Sequence, residues 1–119
     1  MNPGSMAPFR LRRVLAYIEE NLTGDLSLSA MATVSGLSIS HWQRLFVRAT
    51  GMSIHQHIIR RRVERAKSLL ADENLPLSEV ALMVGFSHQS HLAYHVRRVL
   101  GVSPMSLRKS CEWRRFNLS

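Results

Sequence analysis

The 119-residue chain predicts an all-α fold of seven helices, arranged as two helix-turn-helix subdomains joined by a long central helix. Three observations predict it. Apolar residues recur at helical spacing, and no strand-like alternation persists. Glycine and proline are few and fall at the boundaries between those periodic stretches. A short-helix, glycine-turn, longer-helix unit is written twice, which is the helix-turn-helix pattern.

The elements follow in order. The first helix spans about Pro8 to Leu22, with Leu11, Val14, Leu15 and Ile18 on one stripe and Thr23-Gly24-Asp25 as its end. A short helix from about Leu28 to Ser35 stops at Gly36. Ser38 suits the N-cap of a helix that ends near Gly51. Ser53-Ile54-His55-Gln56 has the capping-box form and opens the longest helix, about Ile54 to Ala71, whose buried stripe is Ile59, Val63, Ala66 and Leu70. Pro76 fits the first turn of a helix that reaches Val84 before Gly85. Ser87 is placed to cap a helix running to Leu100, and Ser103-Pro104 starts a last helix to about Glu112. The expected organisation is a lead-in over 1–7, either an added extension or the remnant of a linker, then a first subdomain over 8–52. A linker helix over 53–72, a second subdomain over 73–112 and a tail over 113–119 complete it.

The repeat is legible residue by residue. At an offset of 49, Leu26, Leu28, Ser29, Ala32, Gly36 and Ser38 match Leu75, Leu77, Ser78, Ala81, Gly85 and Ser87. From Ser40 the offset is 50, and Ser40, His41, Arg48, Gly51 and Ser53 match Ser90, His91, Arg98, Gly101 and Ser103. One extra residue has entered near His88-Gln89. The small alanine allows close helix packing, and the glycine makes a turn that a Cβ would oppose. Duplication merely to build a core would not require basic exposed faces. The central helix, at about 18 residues and 1.5 Å per residue, spans roughly 27 Å. Successive major grooves on one side of B-DNA lie roughly 34 Å apart. A rod of that size suits two reading helices in adjacent grooves.

Composition narrows the function. The apolar fraction of 45% supports a core, and the charged fraction of 20% argues against wholesale disorder. Sixteen Lys+Arg face eight Asp+Glu, for a formal charge of +8 and a pI near 11.3. Fourteen of the sixteen cations are arginine, whose planar fork matches phosphate and guanine edges. An anionic partner is implied, nucleic acid before an anionic membrane surface. The single cysteine, Cys111, excludes an internal disulfide framework and a four-thiolate metal site, and fits a reducing compartment. No apolar run approaches the roughly 20 residues of a membrane span, and the N-terminal stretch lacks the apolar segment of a signal peptide. The expected location is the cytoplasm.

Two stretches carry a family resemblance. SHWQRLFVRATGMSIHQHIIRRRVERAKSLL, followed by LPLSEVALMVGFSHQSHLAYHVRRVLGVSPMSLRK, resembles the DNA-binding domain of AraC/XylS-type bacterial transcription regulators. The second stretch has the signature A-x-x-x-G-F-S-x-Q-S-x-hydrophobic from Ala81, then G-x-S-P from Gly101 and an arginine soon after. The resemblance covers about residues 8–110. It implies two helix-turn-helix subdomains on a long helix, binding double-stranded promoter DNA, usually as an activator that touches RNA polymerase. Many members carry a separate sensing domain, usually N-terminal and absent from this sequence; some consist of this domain alone.

Candidate DNA contacts follow from helix faces. In the first reading helix Trp42, Leu45, Phe46 and Ala49 form the core stripe, and Trp42 pairs with Leu92 in the repeat. Ser40, Gln43, Arg44 and Val47 lie opposite, flanked by His41 and Arg48. Glutamine suits adenine and arginine suits guanine through paired hydrogen bonds, so Gln43 and Arg44 are the leading base readers, with Ser40 beside them. The resemblance places base contacts at the same positions. In the second reading helix Leu92, Val96 and Val99 are expected inside, with Gln89, Ser90, His91 and Tyr94 toward the bases. Family members often carry arginine at the Tyr94 position and phenylalanine at Val96. Tyrosine can donate one hydrogen bond to a phosphate or pack against a thymine methyl but cannot fork onto guanine, so the second subdomain is expected to bind more weakly or less selectively than the first.

Phosphate candidates are Ser38, Arg48, Arg61, Ser87, Arg97, Arg98 and Lys109, with Arg108 beside them. Arg60-Arg61-Arg62 is equally readable as a solvated face, and the resemblance favours Arg61. Ser38 and Ser87, at helix N-termini, could present amides to phosphates. His88, His91 and His95 have a spacing that could hold a metal, and His55 and His57 form a further pair. No HExxH glutamate or nearby cysteine accompanies them. No G-x-G-x-x-G, Walker loop or G-x-S-x-G elbow suggests an enzyme. No cofactor and no metal are expected. The competing reading is a basic helical interaction module without sequence-specific DNA binding.

Overall fold

The computed structural model describes residues 8–24 and 26–110. Six helices follow in order: α1 Pro8–Glu20, α2 Leu28–Ser35, α3 Ile39–Thr50, α4 Ile54–Leu69, α5 Leu77–Met83 and α6 Gln89–Leu100. A seventh, α7, is helical over 104–110. No strand occurs among the described residues, and no described helix is long and apolar enough to cross a membrane. The lead-in over 1–7, the expected end of α7 at Glu112 and the tail over 113–119 lie outside the described residues. The chain divides into two compact units, Met1–Ile58 and Ile59–Ser119, and the division falls inside α4.

In the first unit, α1 buries Val14 and Ile18, with Leu22 just beyond its end. These pack with Met31 and Ala32 of α2, Trp42, Leu45 and Phe46 of α3, and Ile54 and Ile58 from the first turns of α4. Each fully buried side chain of this size contributes roughly 1.5–3 kcal/mol of hydrophobic stabilisation. Trp42 and Phe46, one turn apart, meet edge to face with centroids 6.0 Å apart and planes at 88°. The Trp42 indole nitrogen Nε1 is buried and has no hydrogen-bond partner among the described residues.

The helix ends explain how the first unit turns. Ser27 caps α2, its Oγ accepting from the Ala30 amide at 3.2 Å. Gly36 closes α2 in the left-handed region at φ 74°, and its amide donates to the carbonyls of Ala32 and Thr33. Ser53 and Gln56 form the reciprocal capping box: Gln56 N donates to Ser53 Oγ at 3.2 Å, and Ser53 N to Gln56 Oε1 at 3.1 Å.

The second unit repeats the plan. Val63, Ala66 and Leu70 from α4 and its end pack with Val80, Ala81 and Val84, with Phe86 in the turn, and with Leu92 and Val96 of α6. Ile59 and Val99 pack against this cluster half-buried. Ser103 caps α7 by accepting from the Ser106 amide at 3.1 Å, as Ser53 does for α4. Arg108, on α7, is buried at 8% exposure. Its Nε donates to the Leu70 carbonyl at 3.1 Å and its Nη2 to the Leu75 carbonyl at 2.6 Å. It therefore fastens α7 to the end of α4 and to the loop that follows.

Several boundaries differ from the sequence reading. α1 stops at Glu20 rather than Leu22, where the Asn21 side-chain Nδ2 donates to the Tyr17 carbonyl at 2.8 Å. α4 ends at Leu69 rather than Ala71, and α5 at Met83 rather than Val84. Pro76 is the N-cap of α5 rather than its first helical residue; its φ of −60° fits either position. His88, not Ser87, is the N-cap of α6. The extra residue of the second repeat is accommodated there, one position beyond the serine that matches Ser38. Ala49 is exposed rather than part of the core stripe.

Candidate nucleic-acid interface

Each unit offers one polar helix face. Neither α3, ISHWQRLFVRAT, nor α6, QSHLAYHVRRVL, contains an acidic residue. A polyanion approaching either helix therefore meets no like charge on that helix itself.

On α3, burial of Trp42, Leu45 and Phe46 turns the other side of the helix to solvent. Ser40, His41, Arg44, Val47 and Arg48 are exposed and Gln43 is half-buried. Gln43 and Arg44 thus have the exposure and the donor–acceptor sets that base edges require. Val47, at 46% exposure, adds an apolar surface one turn from Gln43. Ser38 is the N-cap with φ −66° and ψ 157°, and its hydroxyl makes no cap hydrogen bond.

On α6, Leu92 and Val96 are buried, and Gln89, Ser90, His91, Tyr94, Arg97 and Arg98 are exposed. These side chains are already organised among themselves. Ser90 Oγ lies 2.6 Å from His88 Nδ1, and the rings of His88 and His91 have centroids 4.0 Å apart. Arg98 Nη1 donates to Tyr94 Oη at 3.4 Å, and its guanidinium carbon lies 5.8 Å from the Tyr94 ring centroid. Tyr94 meets His95 edge to face at 5.0 Å, and His95 stacks on Phe86 at 5.2 Å with planes 13° apart. His95 is thus turned to Phe86, apart from the tilted His88–His91 pair. Among the described residues no three His, Cys, Asp or Glu side chains gather as a metal site.

The remaining basic candidates separate by burial. Arg60 is exposed, and Arg61 and Arg62 are half-buried. Arg62 sits 5.8 Å from the Phe86 centroid, and burial pulls its pKa below the ordinary guanidinium value. Lys109 is exposed. Arg108 is not a phosphate ligand, because it is buried on two carbonyls of its own unit. Ser87 does not cap α6; the N-cap is His88, one residue further on.

Three features of this surface escaped the sequence reading. His88 acts through the inserted residue, which the change of repeat offset did mark. The Tyr94–Arg98 contact has the i, i+4 spacing that makes helix neighbours, a signal available in the sequence. Arg108 lies four residues after the buried Pro104, on the inward face of α7, and its charge concealed that periodicity.

A helix-turn-helix domain family matches residues 31–110. The chain is 39% identical over 97 residues to the probable transcriptional regulator LumQ of Photobacterium leiognathi. The match takes in 80% of this chain and 39% of LumQ, so the chain spans well under half of that relative's length. It is 37% identical over 100 residues to the HTH-type transcriptional activator AarP of Providencia stuartii, covering 84% of this chain and 74% of AarP. Among solved structures, the DNA-binding domain of the global transcriptional factor AdpA, in complex with a target DNA, superposes with a TM-score of 0.81. That pair shares 32% identity and covers 89% of this chain and 96% of the AdpA domain.

Proposed function

The chain belongs to the AraC/XylS-type helix-turn-helix family of DNA-binding transcription regulators, and from that premise we propose that α3 and α6 are its two reading helices. Each enters a major groove of double-stranded promoter DNA, in two successive turns of the duplex. The observation that carries this reading is the pair of helix faces: each reading helix buries one apolar stripe and presents a polar, cationic surface free of carboxylates. Gln43 and Arg44, with Ser40, read bases in one half-site. Gln89, Ser90, His91 and Tyr94 face bases in the other. Ser38, Arg48, Arg61, Arg97 and Lys109 contact the phosphates, a sequence-independent contribution that weakens steeply with salt.

The protein acts in the cytoplasm as an activator through contact with RNA polymerase, a reading supported by its similarity to an HTH-type activator. A sensing domain belongs to the same proposal, given how much of LumQ lies beyond the matched region.

Selection of bound duplexes from a random pool, followed by a salt titration, tests the proposal. The expected product is one motif with two separated half-sites. Arg44→Ala is expected to cost roughly 1–3 kcal/mol of binding and to relax preference at one base pair. Uniform binding to all duplexes would instead identify a basic interaction module.

A further inference from the structure

α6 differs from α3 where a reading helix has most to say. In the repeat, Ala93 stands at the position of Gln43, Tyr94 at Arg44, Arg97 at Val47 and Arg98 at Arg48. The small Ala93 leaves an open recess bordered by Ser90, Tyr94, Arg97 and Arg98. Tyr94 is 55% exposed, yet its ring is held on two sides. Behind it, His95 meets its ring at 82° and stacks in turn on the buried Phe86. In front, the Arg98 guanidinium lies over the ring and Nη1 donates to Oη at 3.4 Å.

The phenol oxygen is both donor and acceptor, and a guanidinium carries five N–H donors in a fixed plane. When Arg98 donates to Oη, the phenol hydrogen remains to point outward, and the adjacent cation strengthens it as a donor. Further N–H groups of Arg98 stand beside it. The pair thus presents an O–H and an N–H donor side by side at the edge of a recess. In the major groove guanine offers two adjacent acceptors, N7 and O6. Adenine sets a donor beside its acceptor, cytosine offers a donor, and thymine offers one acceptor and a methyl group. Guanine is the base that accepts both hydrogens.

We propose that Tyr94 and Arg98 together form a composite guanine-reading fork, with Ala93 leaving room for the base edge. Arg98 then determines specificity together with Tyr94, by one N–H to the base and by orienting the phenol, instead of neutralising a phosphate. The inference rests on the reading of α6 as a DNA-reading helix.

Selection from a random duplex pool with the whole chain, using the parent, Tyr94→Phe, Arg98→Ala, the double variant and Arg44→Ala, tests it. Both sites are exposed, and circular dichroism checks that each variant folds. The parent is expected to select guanine at one position of the second half-site. Either single substitution should lower that preference roughly five- to a hundredfold, the range a paired base contact supplies. The double variant should lose no more than the singles, because the two donors act as a unit, and the first half-site should stay unchanged. Two results would overturn the fork. In one, Tyr94→Phe keeps the base preference while Arg98→Ala weakens all sequences equally and reduces the salt slope by about one, as a phosphate ligand does. In the other, the selected base is thymine and survives Tyr94→Phe, as a ring packed on a methyl group would predict. If the parent selects no motif and Arg44→Ala changes nothing, the reading-helix proposal fails together with the fork.

Discussion

The two units place bulk at opposite ends of the same motif. In the first, α3 carries Trp42 and Phe46 inward and the preceding turn supplies Leu37. In the second, the matching helix positions hold the smaller Leu92 and Val96, and the turn supplies Phe86. Both are dense apolar cores, reached by exchanging which element brings the aromatic ring. The exchange alters the surface as well. Phe86 gives His95 a flat ring to stack on, and His95 in turn meets Tyr94, so a core substitution reaches the outer face of α6 through two ring contacts. The first unit has the buried Leu45 where the second has His95, and among the described residues no such chain of rings leads to Gln43 and Arg44 on its outer face.

The units also close differently. Ser53 opens α4 and Ser103 opens α7, and five residues on, the inward positions are Ile58 and Arg108. Isoleucine closes the first core by apolar contact alone. Arginine closes the second by donating to two carbonyls that no helix satisfies.

The largest test of this contrast is Trp42. Trp42→Ala is expected to cost about 3–5 kcal/mol, as large-to-small changes at fully buried aromatic sites do. Trp42→Phe should cost far less, about 1 kcal/mol, since the lost indole N–H has no partner to leave behind. Urea unfolding followed by circular dichroism measures both, and equal losses would show that a phenylalanine ring recovers none of the packing at this site. Second is Arg108→Ile, which writes the first unit's solution into the second. It leaves the Leu70 and Leu75 carbonyls without their donors and should cost about 2–4 kcal/mol. A change under about 0.5 kcal/mol in the same measurement, typical of an exposed residue, would remove the latch from the account. The smallest is Gly36→Ala. At φ 74° a Cβ meets no neighbouring atom, so only backbone strain operates, about 1–2 kcal/mol. A neutral result would mean that the turn relaxes out of the left-handed region.

Helix identity and order were legible because apolar spacing, glycine stops and serine caps agreed with one another. The repeat doubled each signal, so Trp42 and Leu92 were assignable to the core together. What escaped was of another kind. An N-cap moved from Ser87 to His88 because an inserted residue can be absorbed on either side of a cap. Ala49 fitted the apolar stripe by type, but a single methyl group gains little from burial and the stripe ended before it. Arg108 read as surface because burial of an arginine depends on carbonyls 33 and 38 residues away, which no local period records. On the outer faces of α3 and α6, exposure followed from the opposite stripe, whereas the i, i+4 spacing of Tyr94 and Arg98 permitted their contact without fixing its geometry.

The exchange of bulk between turn and helix also constrains how the halves could have diverged after duplication. Converting Phe86 to leucine while Val96 remains opens a hole, and it also removes the ring on which His95 stacks. Core and outer face of the second unit therefore change together at this one position.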